Sequence, residues 1–194
     1  MSSQTSPAAL TSTVLVVVDV QVGFVNEASA PAVPVATGLL EAWQDAGGAS
    51  IVASFHNPPN SPYEKISSWT KLRTDAEQAL APGLQRLADR ATAAVTKTTS
   101  NLFLADGVLD LFRTSGWTDL VVCGIDTDSC VYDTAVGAYH HGITPWVVAD
   151  ACASSGGTRY HDIGLELAGR NLGRRLIVTS SRVMTWLNST GDHQ

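Results

Sequence analysis

The sequence predicts a three-layer α/β/α sandwich built around a six-stranded, mostly parallel sheet. Three observations predict it. Short β-branched apolar runs alternate with helical patterns along the chain. The first run, Thr-Val-Leu-Val-Val-Val at 13–18, is apolar with no polar alternation, as a strand covered on both faces requires. There is also no internal repeat, low-complexity block or interdomain linker. The elements therefore belong to one layered domain, over residues 13–190, behind a flexible tail at 1–12.

Each element has a local reason. After the strand at 13–18, residues 35–46 form a helix closed by Gly47-Gly48. Residues 50–55 form the second strand. Residues 56–71 read as a loop, because Pro58-Pro59 and Ser61-Pro62 interrupt any periodicity. A short helix is expected at 84–89 and the third strand at 91–96, ending at Lys97. A helix at 107–115, a strand at 119–123, a helix at 129–141 and a strand at 144–148 follow. The chain closes with a helix at 160–172, a strand at 176–179 and a helix at 181–187. Consecutive strands joined by helices make a parallel sheet, and ligands of such sheets bind beyond the strand carboxyl ends.

Composition excludes several function classes. A chain of 194 residues holds a substantial core, and its net charge of −6 with a pI near 5.2 lacks the basic patch of a nucleic-acid binder. No run approaches the roughly 20 apolar residues that span a bilayer, so no membrane partner is expected. The first residues lack a basic region followed by a long apolar stretch, so they do not read as a signal peptide. Three cysteines without a C-x-x-C pair point to a reducing, cytoplasmic setting. Cys123 and Cys152 sit in apolar strand-end settings and read as small buried residues.

Cys130 is different. It lies in Gly124-Ile125-Asp126-Thr127-Asp128-Ser129-Cys130-Val131, where the run 120–123 breaks at Gly and becomes a helical pattern. A thiol in the first turn of a helix meets outward-pointing N–H groups, which favour an anion and lower its pKa. Asp19 follows the first strand and Lys97 the third. Topology brings both to the same sheet edge as Cys130.

These segments resemble the isochorismatase-like cysteine hydrolases. The matching pieces are Asp19-Val20-Gln21 with Phe24, Lys97 with Ser100 and Phe103, and the segment 124–131, with a weaker match at 148–152. The resemblance runs from about residue 14 to residue 186. It implies a Rossmann-like α/β fold and an Asp19–Lys97–Cys130 triad that hydrolyses a C–N bond of a small amide, lactam or ureide through a thioester. It also implies a non-proline cis bond at Ile125–Asp126, an oxyanion hole made by the backbone N–H groups of Asp126 and Cys130, and a homodimer or homotetramer. Within the family, streptothricin hydrolases, which open a lactam, suit an acidic chain without metal ligands. Asp126 departs from the family pattern, where a small apolar residue is usual. Its carboxylate can hurt catalysis, point away or meet a cationic substrate group.

Other residues have two readings. Phe24 and Trp69, in loops at the active edge, wall the pocket or pack the core. Gln21 and Asn101 bind substrate through their amides or cap the local backbone. Tyr132 faces pocket or core. His56 occupies the place of a metal-binding His in nicotinamidase-type relatives, but the Asp two residues before it is Ser54 and no second His follows nearby. A lone imidazole is not a metal site, so no metal or other cofactor is expected and His56 reads as a loop or pocket residue. His140-His141 and His161 read as cap or structural residues. The competing functions are a vinyl ether hydrolase of the isochorismatase type, a nicotinamidase, a non-catalytic binding module and a thiol sensor.

Overall fold

A computed structural model describes residues 6–191, with side chains through Asn188 and Ser189. Six parallel strands form one sheet in the order β3-β2-β1-β4-β5-β6. The strands are β1 (Thr13–Val18), β2 (Ala49–Phe55), β3 (Ala93–Lys97), β4 (Asp119–Ile125), β5 (Thr144–Ala153) and β6 (Ile177–Val178). The helices are α1 (Ala32–Asp45), α2 (Pro62–Ser67), α3 (Asp75–Gln78), α4 (Leu84–Ala88), α5 (Val108–Ser115), α6 (Tyr132–His140), α7 (Thr158–Ala168) and α8 (Ser180–Gly191).

Helices cover both faces of the sheet. α1 packs with α4 and α8, whereas α6 packs with α7. β1 and β4 therefore lie between two helical layers, and every residue of both is buried. Their unbroken apolar sequence has this cause: neither face meets water. The chain moves outward from β1 to β3, then returns to place β4 on the other side of β1. The strand order thus reverses between β1 and β4, which opens a crevice at their carboxyl ends.

Three differences from the sequence-based expectation have local causes. The loop 56–71 contains α2, because Ser61 caps a helix whose first residue is Pro62. The Ser61 side chain accepts the Glu64 N–H at 3.2 Å. Next to it, Thr74 and Glu77 form a reciprocal capping box that starts the four-residue α3. β5 runs five residues beyond 148, past the polar Asp150. A register shift opposite Val122 and Gly124 absorbs the irregularity. Asp150 then accepts the N–H and Oγ–H of Ser180, at 2.7 and 2.6 Å, at the start of α8.

Residues 1–5 of the expected tail lie outside the described residues. Leu10–Ser12 forms a short 3-10 turn and Leu10 packs against the core.

Candidate active site

β1 ends at Val18, and Asp19 turns the chain with a left-handed φ of 52°. Asp and Asn tolerate this region better than most residues, and such strain clusters at functional sites. Lys97 ends β3, two strands away. Its side chain has to cross β2, a span of about 9–10 Å between strand axes. It does so over the ring of Phe55, with Nζ 5.1 Å from the centroid. Lys97 Nζ then donates to Asp19 Oδ2 at 2.6 Å and to the Thr99 carbonyl at 3.0 Å. Both side chains of this ion pair are 0 % exposed.

The sulfur comes from the other side of β1. β4 ends at Ile125, and the Ile125–Asp126 peptide is cis. Gly124 precedes it with a φ of +128°, so close to β1 that a Cβ would lie 2.0 Å from the Val18 carbonyl oxygen. Residues Thr127–Val131 then form a turn of π-helix before α6 begins. Cys130, within this turn, is 6 % exposed and lines the cavity described below. It lies close enough to shift the ionisation of both Asp19 and Lys97. Asp19 Oδ1 is buried and has no well-formed hydrogen bond, so the thiol contact is looser than an ideal one.

The electrostatics follow from burial and pairing. Burial pushes the Asp19 carboxyl up, the Lys97 charge pulls it back, and the net direction is up. Burial draws Lys97 towards neutrality, but Asp19 and Cys130 outweigh it and hold the ammonium above its ordinary pKa. Burial pushes the Cys130 thiol well above its usual range, Asp19 adds to that, and Lys97 opposes it. This corrects the expected lowering of the thiol pKa. The turn holding Cys130 is not the first turn of an α-helix, the sulfur is desolvated, and the Lys97 charge is already matched by Asp19. Burial and Asp19 together favour the neutral form of the Cys130 thiol.

The cavity holds about 560 Å³, the size of a small-molecule site. Four rings form part of its wall. Phe24 stacks on Trp69 at 6.1 Å and 15°, and Phe55 meets Trp69 and Tyr63 edge-on at 5.6 and 5.2 Å. Tyr63 is fixed from behind, its hydroxyl accepting the Ser100 N–H at 2.9 Å. Asn26, Asp126, Ser129 and Ser155 supply polar lining. The Asp126 carboxylate accepts the N–H of Ser155 at 2.5 Å and its hydroxyl at 3.0 Å. Burial raises the Asp126 pKa, while the Ser155 bonds oppose this.

The expected substrate contacts divide. Phe24 and Trp69 line the cavity. Gln21 does not: it is fully buried, accepting the Phe55 N–H at 2.7 Å and donating to the carbonyls of Phe55 and Gln78. Its amide is consumed in bracing β1 against β2. Asn101 caps a short turn by accepting the Phe103 N–H at 2.9 Å. Tyr132 points to the α7 side, where its hydroxyl accepts from Asn171 at 2.7 Å. His56 lines a neighbouring cleft with Gln78 and Thr96 rather than the cysteine cavity. Sequence reasoning missed Phe55, Tyr63 and Ser155. Phe55 and Ser155 had a readable signal, since each sits at or just beyond a strand carboxyl end.

Among the described residues, no three His, Cys, Asp or Glu side chains gather as a metal site needs. No helix among them is long and apolar enough to cross a membrane. Cys123 and Cys152 are free and buried. Burial pushes the Cys152 thiol to about 12.

Comparison with known proteins accords with this architecture. A cysteine hydrolase from Pseudomonas syringae pv. phaseolicola superposes with a TM-score of 0.80 at 19% identity, covering 98% of this chain and 100% of that one. A nicotinamidase from Bacillus subtilis gives 0.77 at 20% identity, over 87% and 99% of the two chains. An N-carbamoylsarcosine amidase from Thermoplasma acidophilum gives 0.69 at 21%, over 83% and 92%. At such identities these likenesses establish the fold. No curated protein matches the sequence. The family model of the isochorismatase domain, however, matches residues 13–179, nearly the whole chain, and so this protein belongs to the isochorismatase family.

Proposed function

We propose that this protein is a cysteine hydrolase that cleaves a C–N bond in a small amide, lactam or ureide without a metal. The observation that carries this reading is the fully buried Lys97–Asp19 pair at 2.6 Å, with Cys130 beside it at the edge of an aromatic cavity. A buried carboxylate with a raised pKa is a stronger base than a solvated one, and the neutral thiol next to it holds the proton it would take.

In this mechanism Cys130 attacks the scissile carbonyl as Asp19 removes the thiol proton. The carbonyl oxygen becomes an oxyanion, received by the backbone N–H groups of Asp126 and Cys130. One such donor lowers a barrier by about 2.7–4 kcal/mol in other enzymes. The tetrahedral carbon expels the nitrogen, which takes the proton from Asp19 and leaves as an amine. Asp19, again ionised, deprotonates a water that attacks the thioester. The acid departs and the proton returns to Cys130. Lys97 stays charged throughout and keeps Asp19 aimed at the sulfur.

The test is a panel of amides, lactams and ureides with detection of the released amine or ammonia. The wild-type protein should turn over at least one member, Cys130→Ala should lose that turnover while keeping the circular dichroism of the native fold, and chelation should change nothing. Full activity in Cys130→Ala would refute the thioester route.

A further inference from the structure

The cavity carries a charge imbalance that the protein itself leaves unanswered. The buried cation behind it, Lys97, is already matched by Asp19 at 2.6 Å. Asp126 is a carboxylate in the cavity wall, close enough to influence both Asp19 and Cys130. Its hydrogen bonds come from the N–H and hydroxyl of Ser155, neither of which carries charge. None of the ion pairs among the described residues includes Asp126. Asp128 stands two residues on, with Oδ1 buried and unpartnered, and adds to the negative field. Lys71 also lines the cavity, but it is exposed, so water and salt screen its charge.

The proposed chemistry deepens the imbalance. A tetrahedral oxyanion would form a negative charge at the turn that begins with Asp126, and like charges repel strongly where water is scarce. A positive charge in the occupant relieves both. The remaining wall suits such an occupant, because Phe24, Tyr63 and Trp69 present aromatic rings, whose faces attract cations.

We propose that the cavity takes a cationic substrate, bearing an ammonium or guanidinium group that pairs with the Asp126 carboxylate and rests on the aromatic wall, with its scissile carbonyl at Cys130. The position of the carbonyl rests on the hydrolase reading above; the preference for a cation does not.

Two arms of one experiment separate the two. In the first, Cys130→Ala protein is titrated by calorimetry at neutral pH with benzylammonium, benzyl alcohol and benzoate. The cation should bind at least about tenfold more tightly than either other probe, the value of one charge-assisted hydrogen bond. The preference should shrink as salt rises, and adding Asp126→Asn should abolish it. Lys71→Gln, which removes the opposing charge at an exposed position, should keep or widen it. This variant also guards against an Asp126→Asn protein that fails to fold. In the second arm, wild-type turnover is compared for paired amides that differ only in a trimethylammonium or a tert-butyl group. The cationic member should show about tenfold higher kcat/KM.

Selective binding of the cation with no turnover of any amide would sink the hydrolase reading and support this one. Turnover of amides with no charge preference in either arm would do the reverse. Tighter binding of benzoate would overturn the proposal outright and assign the charge preference to Lys71.

Discussion

At the scale of single residues, the site depends on a buried charge pair, and buried pairs are brittle. Lys97 and Asp19 share one hydrogen bond away from water, so removing either charge strands the other. Lys97→Met keeps the aliphatic stem that crosses Phe55 and deletes only the ammonium. It should destabilise the fold by about 3–5 kcal/mol, the usual cost of orphaning a buried charge. Asp19→Asn combined with Lys97→Met should recover part of that loss, because nothing charged is left behind. Urea denaturation of the two variants checks this. A single variant as stable as the wild type would show that Asp19 already sits neutral in the folded protein.

The same residues set a pH profile. In the proposed mechanism Asp19 acts as the base and must be ionised; its pKa lies above the ordinary 3.8, so the acid limb of kcat/KM should fall above 3.8. Lys97 must stay protonated, and its pKa lies above 10.5, so it adds no alkaline limb below that value. A profile with its acid limb below 3.8 would contradict the burial of Asp19.

At the scale of elements, the decisive piece is the passage from β4 into α6. Gly124 is needed there for two separate reasons: its φ of +128°, and the contact a side chain would make with the Val18 carbonyl at 2.0 Å. Gly124→Ala should cost at least about 3 kcal/mol and displace Cys130 relative to Asp19. Thermal unfolding measures the first effect and loss of turnover the second. An unaffected melting temperature would mean that β1 and β4 separate more easily than their buried faces suggest. The broad strand-turn-helix outline of this passage was readable from the apolar run, the Gly and the helical pattern that follows. The π-helical turn was not, because its five residues are too few to show a side-chain period of their own. α2 and α3 escaped for a related reason. With six and four residues they are too short for periodicity, and only the caps at Ser61 and Thr74 mark them. Gln21, Asn101 and Tyr132 show why residue type alone left two readings open. Their residue types fit substrate binding, but local backbone or a neighbouring side chain had already claimed their polar atoms.

At the scale of the whole molecule, the convergence of Asp19, Lys97 and Cys130 was legible because topology, rather than local chemistry, brings them together. Parallel strands deliver their carboxyl ends to one edge, and Asp19, Lys97 and Cys130 all follow such ends. The same layout gives the site two kinds of wall. Asp19 and Cys130 hang from β1 and β4, the central strands, whose residues are buried throughout. Much of the aromatic wall instead comes from the 57–72 segment, where α2 buries no residue and Ile66 is 83 % exposed. Stability should therefore be uneven across one candidate site. In native-state hydrogen exchange, amides of β1 and β4 should open only with global unfolding, while those of α2 exchange through a smaller, local opening. Occupying the cavity with a ligand that contacts Tyr63 and Trp69 should slow α2 exchange and leave β1 and β4 at the global limit. Equal protection of α2 and β1 in the free protein would mean that the aromatic wall is as rigid as the sheet. Access to Cys130 would then be set by the fixed opening of the cavity and not by movement of α2.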